Sequence, residues 1–232
     1  MFDKNTKIPY DRRSQEFDST PIHKLTFGPV DSPLETVRQR NLIIQMAGMT
    51  IIGMPLIALV LDLFIDSFTL QERLLMGENI FRQLGSGLAA GIIFGVTAKW
   101  IVKRPFLSEV NTRYSSMIED LKLNSSEIVF ISLCAGVGEE VLFRGALQPW
   151  VCSHFGLFVG ILIVSIGFVA VHGYLNPKNW RLSIYGIYMT IAIFALGFMA
   201  ELIGLWSAVV AHTVIDIYLL RELRSEFRAD DE

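Results

Sequence analysis

Six side chains carry charge or a titratable ring into stretches that are otherwise apolar: Glu139, Glu140, Arg144, His172, His212 and Asp216. An ionisable group inside an apolar span is costly unless paired or wetted, so such residues read first as functional. Glu140 and Arg144 stand four apart, on one helix face, with the acid on the N-terminal side that ion pairing prefers. They can neutralise each other. Glu139 lies about 100° around the helix from Glu140, lacks that partner, and is the carboxylate left to act as a base. Phe168 and His172 repeat the four-residue spacing, so the ring can pack beneath the imidazole and fix its orientation. His212 and Asp216 share it too, and Asp216 either holds a tautomer of His212 or contributes an oxygen of its own. One carboxylate and two histidines on three helices can converge on a water. Water attack on a peptide carbonyl needs a base, a group to stabilise the oxyanion and an acid for the leaving amine. This set contains all three.

The elements that must position these groups are membrane helices. Of 232 residues, 52% are hydrophobic and 19% charged, with a mean hydropathy of +0.45, which is too apolar for an ordinary soluble domain of this size. A net charge of −3 implies neither a nucleic-acid surface nor an acidic tail. Cys134 and Cys152 fall in one apolar segment, roughly 27 Å apart on a single helix, and cannot pair there. Residues 1–40 form a polar, loosely held tail with no cleavable signal peptide.

Six spans are expected: Leu42–Leu61, Leu84–Val102, one starting near Ile128, Phe155–Val171, and two from Leu182–Leu220 split near Glu201 to Leu205. An amphipathic connector, Asp62–Arg82, and a stretch from Glu109 to Lys122 read as interfacial helices. Lys and Arg fall seventeen to two across the two sides of this arrangement, Arg144 aside, so both termini are expected to be cytoplasmic. The fold class is therefore all-α, a polytopic membrane helix bundle. It divides into a tail over 1–40, a membrane-embedded domain over 41–221 and a C-terminal tail over 222–232.

Glu139-Glu140-Val-Leu-Phe-Arg144, Phe168-Val-Ala-Val-His172 and His212-Thr-Val-Ile-Asp216 resemble the EExxxR, FxxxH and HxxxN/D motifs of the CPBP family of intramembrane proteases. That family groups CAAX prenyl protease 2-like enzymes with bacteriocin-processing and immunity-type membrane proteins. The motifs stand in the family's order, each in an expected span. The resemblance implies an intramembrane endopeptidase in which Glu139 and His172 activate the water and His212 and Asp216 stabilise the oxyanion. Glu140, Arg144 and Phe168 would support them. The last motif position is Asn in some members, and Asp here favours orienting His212 or binding a metal unless it is protonated.

A metalloprotease mechanism would place one divalent ion, zinc, on Glu139, His172, His212 and Asp216, with an open coordination position. No HExxH stands on one helix, so metal-free glutamic chemistry is slightly favoured. The implied partners are the lipid bilayer of a bacterial cell membrane and a membrane-anchored or lipidated protein or peptide. Ser132 and Ser165 lack a GxSxG setting and read as packing residues, as do both cysteines. His23 and His154 read as solvated, and Asp62 and Glu201 as interface markers. Two other classes compete: a non-proteolytic immunity or scaffold protein of the same fold, and a proton-coupled transporter, which the absence of obvious inverted repeats disfavours.

Overall fold

A computed structural model describes residues 33–64, 70–75, 77–107, 123–175 and 179–228. The polar tail up to residue 32, the expected surface helix from Glu109 to Lys122 and part of the 62–82 connector lie outside them. All regular structure among the described residues is helical. It comprises α1 (Pro33–Phe64), α2 (Leu70–Leu75), α3 (Ile80–Val102), a 3₁₀ turn (Pro105–Leu107), α4 (Ser125–Glu140), a π-helical stretch (Val141–Leu147), α5 (Gln148–Phe155), α6 (Leu157–Val171), α7 (Trp180–Leu202) and α8 (Leu205–Arg228).

Local sequence sets the ends of these helices. Asn79 accepts from the Phe81 amide and opens α3, and Asn179 accepts from the Leu182 amide and opens α7. Asn124 and Glu127 form a reciprocal capping box at the start of α4, each side chain accepting from the other's backbone N–H. Asp62 caps α2 through the Leu70 amide at 3.0 Å. Gly156, at φ +78°, turns the chain from α5 into α6 in a conformation a side chain would strain.

The expected spans correspond to α1, α3, the run α4–π–α5, α6, α7 and α8. By length and composition, α1 from Val37, α3 and α7 can each cross a bilayer unaided. With 15 residues, α6 is about 22 Å long, short of the roughly 30 Å hydrocarbon core, and it ends at His172.

α8 is the central helix, packing against α3, α4 and α7. Its approach to α3 depends on Gly87, Gly91 and Gly95: a methyl at Gly91 would lie 2.6 Å from Val214 Cβ, and one at Gly87 2.5 Å from the Ser207 carbonyl. Small residues at four-residue spacing are how membrane helices gain van der Waals contact where burial from water gives none. α6 packs against α5 and α7 rather than along α4.

Polar groups gather at both ends of the bundle. At one, Glu222 on α8 takes Lys99 at 2.5 Å and also Lys103, Arg224 donates to the Leu123 carbonyl and Ser125 Oγ, and Arg40 donates to Glu127 at 2.6 Å. Burial would raise the Glu222 carboxyl, but the two ammonium groups outweigh it and hold it below the usual carboxylate range. At the other end, Arg73 on α2 pairs with Glu201 at 2.9 Å and Trp206 Nε1 donates to the Leu74 carbonyl. Glu201 is thus a partnered acid joining α2 to α7.

Candidate active site

The site is built where α4 passes into the π-helical stretch, opposite the end of α6 and the middle of α8. A π turn shifts backbone bonding to i→i+5 and is frequent at functional positions. Here it begins directly after the two adjacent acids, Glu139 and Glu140. Glu139 faces α6, where its Oε2 lies 3.3 Å from His172 Nε2. Glu140 faces inward, with Oε2 at 3.2 Å from Arg144 Nε and Oε1 at 2.8 Å from His212 Nδ1. The two neighbouring carboxylates therefore serve two different histidines.

Phe168 lies beneath the imidazole of His172, ring centroids 4.5 Å apart and 23° from parallel. The same ring meets Phe143 edge-on at 4.9 Å and His212 at 5.6 Å, and the Arg144 guanidinium sits 4.9 Å from its centroid. Phe168 thus packs between both histidines and the arginine. Arg144 also donates to the Ile193 carbonyl of α7 at 3.0 Å. These contacts, with Glu140, offset part of the cost of burying a guanidinium.

Hydrogen bonding fixes the imidazole protons. His172 Nδ1 is 2.7 Å from the Phe168 carbonyl; a carbonyl only accepts, so Nδ1 carries the hydrogen and Nε2 is left to exchange a proton with Glu139. His212 Nδ1 donates to Glu140, leaving Nε2 facing Asp216 at 3.6 Å, too long for a hydrogen bond. Of the two roles left open for Asp216, holding the tautomer of His212 therefore falls to Glu140. The spacing in sequence did not show this, because the contact joins residues 72 apart.

Access is graded across the group. Glu140 and Arg144 are 0% exposed and His212 7%, whereas Glu139 is 13%, Asp216 28% and His172 33% exposed. The open edge consists of Glu139, His172 and Asp216. The residues suited to a metal are those expected, and both imidazoles present Nε2. Among the described residues, however, no three His, Cys, Asp or Glu side chains are grouped as an ion would require, and no step below is routed through one.

Comparison with known proteins adds one finding. The model of the type II CAAX prenyl endopeptidase Rce1-like family matches residues 123–218. Over these residues the chain is similar to that family. The match spans α4 to the middle of α8 and contains all three motifs, in agreement with the CPBP resemblance. It indicates a membrane-embedded protease of the CAAX endopeptidase type. No curated protein and no solved structure matches the chain. Within the matched region, Ser132 and Ser165 are fully buried, with Ser165 Oγ donating to the Ile161 carbonyl within its own helix. Cys134 and Cys152 are free thiols. His154 is exposed and contacts only Ser153 and Trp150 of its own helix in the hydrogen bonds and ring contacts it makes.

Proposed function

We propose that this chain is an intramembrane endopeptidase resembling CAAX prenyl protease 2, hydrolysing a peptide bond near the membrane interface in a membrane-anchored or lipidated protein or peptide. Glu139 takes a proton from water as the oxygen attacks the carbonyl carbon. His172 Nε2, 3.3 Å from that carboxylate, shares the proton and delivers it to the leaving amine. His212 supplies the oxyanion donor from Nε2 once protonated, and Glu140 at Nδ1 stabilises the positive charge this creates. Asp216 donates to an oxyanion only as a carboxylic acid; as a carboxylate it steadies the imidazolium. The observation that carries this reading is the division of labour between adjacent acids: Glu140 is sealed between Arg144 and His212, while Glu139 shares an open edge with one histidine.

The same reading puts both termini in the cytoplasm of a bacterial cell. The charged end of the bundle, where Glu222 meets Lys99 and Lys103, is then the cytoplasmic face. Asp216 stands six residues before Glu222 on α8, about 9 Å along the axis. A substrate segment therefore reaches the site from the bilayer or the cytoplasmic surface. The test is cleavage of a panel of membrane-anchored reporter peptides, prenylated and not, by the purified protein in detergent. Site-specific cleavage of any member supports a peptidase and names its substrate class; a folded protein that binds reporters and cleaves none supports the immunity or scaffold alternative.

A further inference from the structure

One buried polar side chain near the site has no part in the chemistry above. Gln148 is the first residue of α5, one turn beyond Arg144, and is 0% exposed. Its Nε2 donates to the Gly197 carbonyl at 3.0 Å and to Glu201 Oε1 at 2.8 Å. Arg144 makes the equivalent reach one turn earlier, to the Ile193 carbonyl. Two side chains four apart on one helical run thus grip two carbonyls four apart on α7. The fit is close: a methyl on Gly197 would lie 2.9 Å from Gln148 Oε1.

The π-helical stretch Val141–Leu147 contains Arg144 and ends one residue before Gln148. A π turn is less stable than α-helix and persists where its surroundings over-determine it. Relaxation to α-helical bonding would change the register between α4 and α5, rotating Glu139 and Glu140 against His172 and His212. We propose that Gln148 is a positioning residue: by binding the α5 side of the π stretch to Gly197 and Glu201 of α7, it sets the orientation of Glu139 toward His172. Arg73, paired with Glu201, extends this hold to the interfacial helix α2.

Measured by turnover, this rests on the peptidase reading above, so a second readout is independent of cleavage. Gln148→Met keeps the length of the side chain and donates nothing. In steady-state cleavage of the best reporter, kcat should fall about tenfold to a hundredfold, as small misplacements of a catalytic group do, while KM and melting temperature stay near wild type. The pH–rate profile should also change shape, because the Glu139–His172 contact is altered. In parallel, Glu139→Cys/His172→Cys in a Cys134→Ala/Cys152→Ala background is bridged by a short bifunctional alkyl dihalide, each thiolate displacing one halide, and adding Gln148→Met should lower the yield of the intramolecular cross-link severalfold. Unchanged cross-linking overturns the role of Gln148 whatever the activity shows. A wild type that cleaves nothing overturns the peptidase reading and leaves the cross-link result to decide this one. If Gln148→Met fails to fold, Gln148→Asn, one methylene too short to reach α7, is read in the same two ways.

Discussion

Glu140 is the residue on which both buried charges depend. Its two oxygens serve Arg144 and His212 separately, and among the described residues neither partner has another carboxylate within salt-bridge or hydrogen-bond distance apart from Asp216, 3.6 Å from His212. Removing one member of a buried pair strands the other charge, at a cost of about 3–5 kcal/mol. Arg144→Leu is therefore expected to unfold the protein in a thermal melt, or to lower its melting temperature well beyond any change caused by Glu139→Gln. Glu140→Gln should likewise be destabilising, since it leaves the buried Arg144 guanidinium without its counter-charge, and severe in rate, since an amide still accepts from His212 but supports no charge on it. A Glu140→Gln variant with wild-type kcat would contradict the oxyanion role given to His212. At this scale the sequence was highly legible: four-residue spacing identified Glu140 with Arg144 and Phe168 with His172. It could not show that Glu140 also reaches His212, because that contact depends on how α4 meets α8.

The helices were legible in number and approximate extent for the same physical reason, a bilayer-length requirement acting on apolar runs. The turn between α7 and α8 falls at Ile203–Gly204, within the stretch where Glu201 and the residues after it broke the long hydrophobic segment. The short α6 was legible within two residues, as the expected span Phe155–Val171, but the π stretch was not. The backbone bonding of 141–147 accompanies side chains that reach across to α7, a contact with no signature in hydropathy. The α3–α8 contact offers a test of helix packing. Gly91→Leu should separate these helices and lower the melting temperature, while Gly85→Leu, where nothing lies within 4 Å of an added Cβ, should be tolerated.

Across the whole molecule, the polar ends of the bundle tie helices together on either side of the site. At the expected cytoplasmic end, Glu222 is held ionised by Lys99 and Lys103, with its folded-state pKa below the usual range. A carboxyl depressed on folding contributes stability at neutral pH and loses it as pH falls through the folded-state value. Glu222→Gln should therefore lower the melting temperature at pH 7, by an amount corresponding to about 1 kcal/mol, and the difference from wild type should vanish below the carboxylate range. A difference that persisted in acid would mean that the pair is not what Glu222 contributes. Reporter fusions at the two termini should both report a cytoplasmic location. Chelator treatment should leave cleavage intact, because the proton transfers proposed use only the chain's own groups.

The central claim is that Glu139 is the base. Its most direct test is the rate of cleavage of one membrane-anchored reporter by wild type and by Glu139→Gln, at equal concentrations of protein shown by thermal melting to be folded. General-base loss costs about 10²–10⁴-fold, so kcat should drop by at least about 100-fold with KM little changed. Cleavage by Glu139→Gln at the wild-type rate would contradict it.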